Sequence, residues 1–224
     1  MTSVPVLLRS RPAVAGMLLF GALALLILVE LTVPPEAADR EVLDWFVARR
    51  SDALTSAARV ITDSGTSWLL FPMVAVAGTL VLIRTGRWLP GALALLAGGL
   101  GVASRLGLST VVRDERPPAA DWLVPVHGYS FPSGHTTTSA LVAGAIIWLL
   151  QQAFPRSRTR LGVQAALACW AALVGLSRLY LGVHWITDVL GGWLLAGAWL
   201  MLIIISDRIA QPDAVDRPGS RGHP

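Results

Sequence analysis

Long apolar runs with almost no charged residues recur through this chain of 224 residues. Each run approaches the roughly 20 residues that a helix needs to cross the hydrocarbon core of a bilayer. Apolar residues make up 54% of the chain and charged residues 14%, a balance that excludes an ordinary water-soluble globule. We therefore predict an all-α, polytopic membrane protein. Six transmembrane helices are expected, at about 14–33, 68–83, 89–108, 136–154, 161–176 and 189–205.

The six spans predict one membrane domain with a short polar segment at each end. We expect a cytoplasmic arm over residues 1–13, the six-span domain over 14–206, and a disordered cytoplasmic tail over 207–224. Between the first and second spans, apolar residues recur at helical spacing with charges between them, at Leu43, Phe46, Val47, Leu54, Ala57 and Val60. This pattern predicts a surface amphipathic stretch of one or two helices.

Charge placement predicts the orientation of the chain in the cell membrane. The short loops after the second and fourth spans contain only basic charges, from Arg84, Arg87, Arg156, Arg158 and Arg160. Loops rich in arginine and free of acids are typical of the cytoplasmic side. The polar segments 109–135 and 177–188 then lie together on the extracytoplasmic side, where we expect the active site.

The basic balance does not indicate a nucleic-acid partner. The net charge of +4 comes from arginines scattered through loops rather than from a basic stripe. The single cysteine, Cys169, lies in an apolar run and has no partner for an intrachain disulfide. We expect it to be a packing residue.

The polar segment 177–188 contains a histidine and a carboxylate at helical spacing. His184 and Asp188 are four residues apart where the sixth span begins, so a helix would place them on one face. A carboxylate that accepts the imidazole Nδ1–H leaves Nε2 free to act as a nucleophile or base. The same pair also fits a structural role, with Asp188 capping the helix start.

Two arginines and a turn-rich stretch supply groups that bind anions. Arg116 and Arg178 carry guanidinium groups that match phosphate oxygens, although interfacial arginines also contact lipid headgroups. Ser133 and the backbone N–H of Gly134 would add neutral donors from the turn. His135 is placed to protonate a leaving oxygen, or is a structural histidine.

These residues together resemble the type-2 phosphatidic acid phosphatase superfamily, in its membrane-bound bacterial lipid phosphatase branch. The family signature is Lys-x6-Arg-Pro, Pro-Ser-Gly-His and Ser-Arg-x5-His-x3-Asp. The second and third blocks match in full, at 132–135 and 177–188. The first block keeps Arg116-Pro117 but has Ser109 where the family has lysine.

The resemblance implies a metal-independent phosphatase without a cofactor, acting on a lipid phosphate or lipid diphosphate in the bilayer. It implies that His184 is the nucleophile, that Asp188 orients it, and that His135 is the acid. The phosphate ligands it implies are Arg116, Arg178, Ser133 and Gly134. The headgroup and the oligomeric state stay open.

The missing lysine has two candidate replacements. On a helix through the end of the third span, positions four before and four after Ser109 share its face, and these are Arg105 and Arg113. Arg113 is slightly favoured because it is nearer to water and to Arg116. A charge as deep as Arg105 otherwise lacks an explanation.

Two alternative functions are compatible with these motifs. A vanadium-dependent haloperoxidase shares the three blocks, but those enzymes are soluble and use the lysine. A family member that has lost catalysis would only bind or transport lipid phosphates. Ser109 favours that second alternative, whereas the intact His135, His184 and Asp188 favour an enzyme.

Overall fold

The computed structural model describes residues 11–32, 37–65 and 67–211, which form eight α-helices and a short 3₁₀ turn with no strand. The helices are α1 (Arg11–Thr32), α2 (Ala37–Val47), α3 (Asp52–Ser64), α4 (Ser67–Thr85), α5 (Leu89–Val112), α6 (Gly134–Ala153), α7 (Arg158–Tyr180) and α8 (Ile186–Ile209). The all-α prediction is confirmed for this part of the chain. Residues 1–10 and 212–224 of the predicted arm and tail lie outside the described residues, and α8 continues past the predicted boundary at 206.

Four helices in the described ranges are long and apolar enough to cross a membrane: Val14–Thr32, Leu89–Val112, Arg158–Tyr180 and Ile186–Ile209. Helix α4 contributes a shorter apolar stretch, Phe71–Thr85. Helix α6 begins with a polar turn of glycine, histidine, threonine and serine, which lowers its hydropathy. By length and apolarity, four of the six predicted spans are therefore met.

Helix α6 occupies the centre of the bundle. It packs against α4, α5, α7 and α8, while α1 packs against α8 and α3 against α7. Small residues let some helices touch closely: a Cβ at Gly78 in α4 would lie 2.9 Å from the Cα of Gly91 in α5. Close backbone approach of this kind is a common way to pack helices in membranes. The predicted amphipathic stretch contains α2 and α3, and α3 buries Ala58 and Thr62.

The connections between helices meet at two opposite ends of the bundle. At one end, the 113–133 and 181–185 connections join, where the Leu123 N–H donates to the carbonyl of Leu181 over 3.0 Å. At the other end, the Arg84 guanidinium lies 4.9 Å from the centre of the Phe154 ring. Arg87 forms an ion pair there with Asp207 at 2.6 Å. The motif-bearing segments thus share one end, and the arginine loops share the other.

Candidate active site

A cavity of about 450 Å³ opens where the 113–133 and 181–185 connections meet. Separate parts of the chain contribute to its wall, so only the folded protein forms it. One side is apolar and comes from Val102 and Leu106 of α5. The polar lining includes Arg105, Arg116, His135, Arg178 and His184. The structure therefore brings most of the predicted site residues to one cavity.

His184 and Asp188 form a buried, hydrogen-bonded pair where α8 begins. The Nδ1 atom of His184 lies 3.0 Å from Oδ2 of Asp188. The same oxygen accepts the backbone N–H of Trp185 at 2.8 Å. Asp188 therefore caps α8 and contacts the imidazole at once, so one carboxylate makes both contacts that the spacing allowed.

The other ring nitrogen of His184 faces Arg116. The Nη1 atom of Arg116 lies 3.2 Å from Nε2 of His184. Because a guanidinium can only donate, this contact makes Nε2 the unprotonated acceptor and leaves the ring proton on Nδ1, toward Asp188. Arg116 is itself held by backbone carbonyls, at 2.7 Å from Val183 and 2.9 Å from Gly128. The unprotonated Nε2 is thus held beside a cation.

The environment keeps His184 neutral. Burial lowers the pKa of His184 well below its usual value, and the charges of Arg178, Arg116 and Arg105 lower it further. Loss of solvation and positive neighbours both disfavour the imidazolium form. The lone pair on Nε2 is therefore available throughout the physiological pH range.

The Pro-Ser-Gly-His motif at 132–135 places some of its residues at the cavity and others in the protein interior. Gly134 and His135, the first residues of α6, line the cavity. Ser133 is fully buried, and its hydroxyl oxygen accepts a hydrogen bond from Oγ1 of Thr136 at 3.0 Å. Its backbone N–H donates to the carbonyl of Asp188 at 3.0 Å, which ties the start of α6 to the start of α8. The Ser133 side chain thus contacts its own helix rather than the cavity.

Arg178 reaches the cavity from the last turn of α7. Its side chain is almost completely buried, and Nη1 donates to Oγ1 of Thr62 at 2.8 Å. Its Nε is buried and has no hydrogen-bond partner within the described part of the chain. A buried, unpaired N–H on a cation is costly unless an anion completes it. Arg178 is accordingly suited to bind a phosphate oxygen.

The two candidate replacements for the missing lysine lie in different places. Arg105 lines the cavity, and its Nε donates to the carbonyl of Pro132 at 3.0 Å. Arg113 is exposed and takes a left-handed backbone conformation that ends α5, with φ of 56°. Its Nε donates to the carbonyl of Thr110 in its own helix, at 3.0 Å. The slight preference for Arg113 has no support in this placement, because the helix ends there and turns the side chain away from the cavity lining.

Three contributors to the site were not predicted. Ser130 is fully buried, donates its hydroxyl hydrogen bond to Oδ2 of Asp188, and lies 3.4 Å from Nδ1 of His184. Its place inside the turn-rich stretch 128–135 is a signal that identifies it.

His127, which had no assigned role, lines the cavity. Thr62 lies 116 residues from Arg178 in sequence, and no local pattern identifies it. His223, also without a role, falls outside the described residues.

Known proteins resemble this chain in sequence. The family model of the PAP2 superfamily matches residues 86–210. Phosphatidylglycerophosphatase B of Bacillus subtilis is 34% identical over 159 residues, covering 70% of this chain and 77% of that protein. Undecaprenyl-diphosphatase of Sulfolobus acidocaldarius is 40% identical over 77 residues, covering 34% of this chain and 32% of that protein.

Solved structures share the fold. The crystal structure of a transmembrane PAP2-type phosphatidylglycerolphosphate phosphatase from Bacillus subtilis has a TM-score of 0.79 and 30% identity, covering 91% of this chain and 99% of that chain. The crystal structure of Aquifex aeolicus LpxE has a TM-score of 0.62 and 24% identity, and covers 77% of this chain and 98% of that chain, which supports the fold alone. With the family model, the relatives and the fold in agreement, the chain belongs to the PAP2 superfamily, as its motif blocks predicted.

Proposed function

We propose that this protein hydrolyses a lipid phosphate or lipid diphosphate through a phosphohistidine intermediate on His184. The observation that carries the proposal is the unprotonated Nε2 of His184 in a cavity that Arg105, Arg116 and Arg178 also line. A phosphoryl group needs a nucleophile on one side and positive charge around its equatorial oxygens. Membership of the superfamily and the phosphatase names of the relatives support the same class of reaction.

In the first step, the Nε2 lone pair of His184 attacks phosphorus, and the bond from phosphorus to the lipid oxygen breaks. Asp188 stabilises the positive charge that develops on the imidazole. His135 gives its proton to the leaving oxygen. Burial and the charges of Arg178, Arg105 and Arg116 lower the pKa of His135. The negative charge of a bound phosphate raises it again.

In the second step, water attacks phosphorus and the bond from phosphorus to Nε2 breaks. The now neutral His135 accepts the proton of the attacking water, inorganic phosphate leaves, and His184 returns to its neutral form. The N–H of Gly134 and the three arginines hold the equatorial oxygens in both steps, where preorganised donors stabilise the transition state. Arg105 binds the phosphate in place of the lysine of the family signature.

The cavity wall also fits a substrate that stays in the membrane. Val102 and Leu106 supply an apolar side, and Leu106 is 53% exposed on the surface of the apolar helix α5. A lipid can therefore keep its hydrocarbon tail in the bilayer while its phosphate enters the cavity. This supports lipid phosphates over soluble phosphate esters as substrates.

We further propose six spans, with the active site on the extracytoplasmic side. The arginine-rich loops lie at the opposite end of the bundle from the cavity, and such loops favour the cytoplasm. Cysteines introduced at the exposed positions Ala120 and Ser157 test this arrangement. Cys169 is replaced first, because it is exposed on α7 and is not the interior packing residue that its apolar run predicted. An impermeant maleimide on intact cells should label position 120 only. Labelling of position 157 alone would reverse the orientation.

The activity is tested by phosphate release from purified protein in detergent micelles. Phosphatidic acid, phosphatidylglycerol phosphate and undecaprenyl diphosphate form the substrate panel, with His184→Ala as the matched inactive variant. We expect vanadate-sensitive release by the wild type and a base-stable, acid-labile phosphoenzyme that His184→Ala lacks. Equal release by His184→Ala would refute the proposed nucleophile.

A variant of the acid residue separates the two steps of the mechanism. His135→Ala should slow hydrolysis most for poor leaving groups, since a good leaving group needs little protonation.

The alternative, a member that only binds or transports lipid phosphates, predicts substrate binding without phosphate release. Arg105 at the cavity weakens that alternative, because it restores a third cation where Ser109 removed one.

A further inference from the structure

Helix α3 borders the candidate active site although it lies outside the residues 86–210 that match the family model. Gly65, directly after α3, lines the cavity. One turn earlier, Thr62 is almost completely buried and faces α7. The segment between the first two long helices therefore contributes to the site itself.

We propose that Thr62 is a positioning residue for the phosphate-binding guanidinium of Arg178. This inference rests on the proposed function, in which Arg178 binds a phosphate oxygen. Oγ1 of Thr62 accepts a hydrogen bond from Nη1 of Arg178 at 2.8 Å, and both residues are at most 3% exposed. An arginine side chain has many rotamers, and fixing them before the ligand arrives lowers the entropy lost on binding.

The chemistry of the acceptor suits this role. A threonine hydroxyl accepts the guanidinium hydrogen bond without adding a negative charge that would compete with a phosphate. The bond to Thr62 uses one edge of the guanidinium, while Nε stays buried without a partner among the residues described. Thr62 thus orients Arg178 and leaves it a free donor.

Helix α3 is itself fixed in place, so that Thr62 has a defined position. The guanidinium of Arg50, just before α3, donates through Nη2 to the carbonyl of Asp121 at 2.7 Å and to that of Tyr180 at 3.2 Å. The backbone N–H of Ser51 donates to the Tyr180 hydroxyl at 3.0 Å. Arg59 donates to the carbonyl of Leu123 at 2.9 Å. These bonds join α3 to the end of α7 and to the connection that contains Arg116.

Thr55 provides a matched control for Thr62. Both are threonines on α3 whose hydroxyls contact the α7 segment, but Thr55 contacts Tyr180 and not Arg178. Thr62→Val removes the acceptor at nearly constant volume, and Thr62→Ser restores it. Thr55→Val removes a hydroxyl from the same helix that does not contact Arg178.

The test measures binding of vanadate and inorganic phosphate to the full chain by calorimetry, together with kcat and KM. We expect Thr62→Val to raise the Kd of both anions and the KM on the order of 10- to 100-fold, the range for a hydrogen bond to a charged group. The value of kcat should fall less than KM rises. Thr62→Ser and Thr55→Val should bind both anions within about 2- to 3-fold of the wild type.

A double-mutant comparison excludes a merely structural effect. In an Arg178→Ala background, Thr62→Val should change the Kd of vanadate by less than about twofold, since the group it positions is gone. An equal loss in both backgrounds, or wild-type binding by folded Thr62→Val, would overturn the inference. Anion binding is measured without turnover, so a wild type that binds vanadate but releases no phosphate would refute the proposed function alone.

Discussion

The Nε of Arg105 donates to the carbonyl oxygen of Pro132 at 3.0 Å, joining the middle of α5 to the motif 27 residues later. This contact places the guanidinium against the start of α6: a Cβ at Gly134 would lie 3.2 Å from Nε of Arg105. A charge deep in an apolar helix is costly unless polar groups compensate it. Here the Pro132 carbonyl and a bound anion would compensate it. Arg105 is therefore the residue proposed to replace the family lysine.

Arg105→Ala should lower kcat/KM for the best lipid substrate by about 10- to 1000-fold, or about 1.4 to 4 kcal/mol of transition-state stabilisation. The reason is the loss of one of three cations around the phosphate. Steady-state hydrolysis of that substrate in detergent measures the effect.

Arg113→Ala is the matched control, because it removes an arginine eight positions later that does not line the cavity. It should keep kcat/KM within about threefold of the wild type. A large loss in Arg113→Ala with wild-type turnover in Arg105→Ala would reverse the assignment.

Ser130→Ala should lower kcat on the order of 10- to 100-fold with little change in KM. The Ser130 hydroxyl donates to the carboxylate that orients His184, yet Ser130 does not line the cavity, so substrate binding is spared. Separate kcat and KM values on the folded variant measure this split.

Ser139 offers the comparison for Ser130. It is also a fully buried serine, but its hydroxyl donates to the carbonyl of Thr136 within α6, at 3.2 Å. Ser139→Ala should therefore affect thermal stability more than kcat. Equal loss of kcat in both variants would mean that Ser130 acts only through packing.

With a substrate whose good leaving group needs no proton from His135, the rate of phosphoenzyme formation should change little between pH 7.5 and pH 5.5. Burial and three arginines lower the pKa of His184, so the neutral imidazole persists as the pH falls. A histidine with the usual pKa of about 6.5 would instead lose about tenfold of its neutral form over this range. Single-turnover rates measure the effect, and two substrates with different phosphate pKa values separate substrate titration from that of the enzyme. A tenfold loss with both substrates would contradict the prediction.

Asp114→Asn should raise Tm, and more so at pH 8 than at pH 5. Burial and the charges of Asp188 and Asp39 raise the pKa of Asp114 from 3.8 to about 7. The folded protein then holds a proton that the unfolded chain releases above about pH 4, so stability falls as the pH rises toward 7. Asparagine resembles the protonated acid and removes this dependence. Asp44→Asn, at an exposed position in α2, controls for the loss of one negative charge, and an equal Tm gain at both pH values would contradict the prediction.

Several parts of the site were predictable because local spacing defines them. His184 and Asp188 are one helical turn apart, and the helix α8 that starts at Ile186 brings them to a 3.0 Å contact. The superfamily was predictable for the same reason, since its motifs are short and contiguous. The hydropathy pattern predicted an all-α membrane protein. The threonines and the serine in the first turns of α6 make this end of the helix less apolar, and they are buried against protein.

Other features depended on where the helices end and how they pack. The spacing made Arg105 and Arg113, four residues before and after Ser109, equivalent candidates for the missing cation. Helix α5 ends at Val112 and Arg113 turns away, so of these two only Arg105 lines the cavity. Ser130 and Thr62 gain their partners, Asp188 and Arg178, across 58 and 116 residues of chain. The sequence by itself determined the candidate reaction groups and the membrane setting, because both depend on local composition and spacing. Only tertiary structure decided which cation, which hydroxyl and which helix complete the site, because those contacts depend on packing between segments that are distant in sequence.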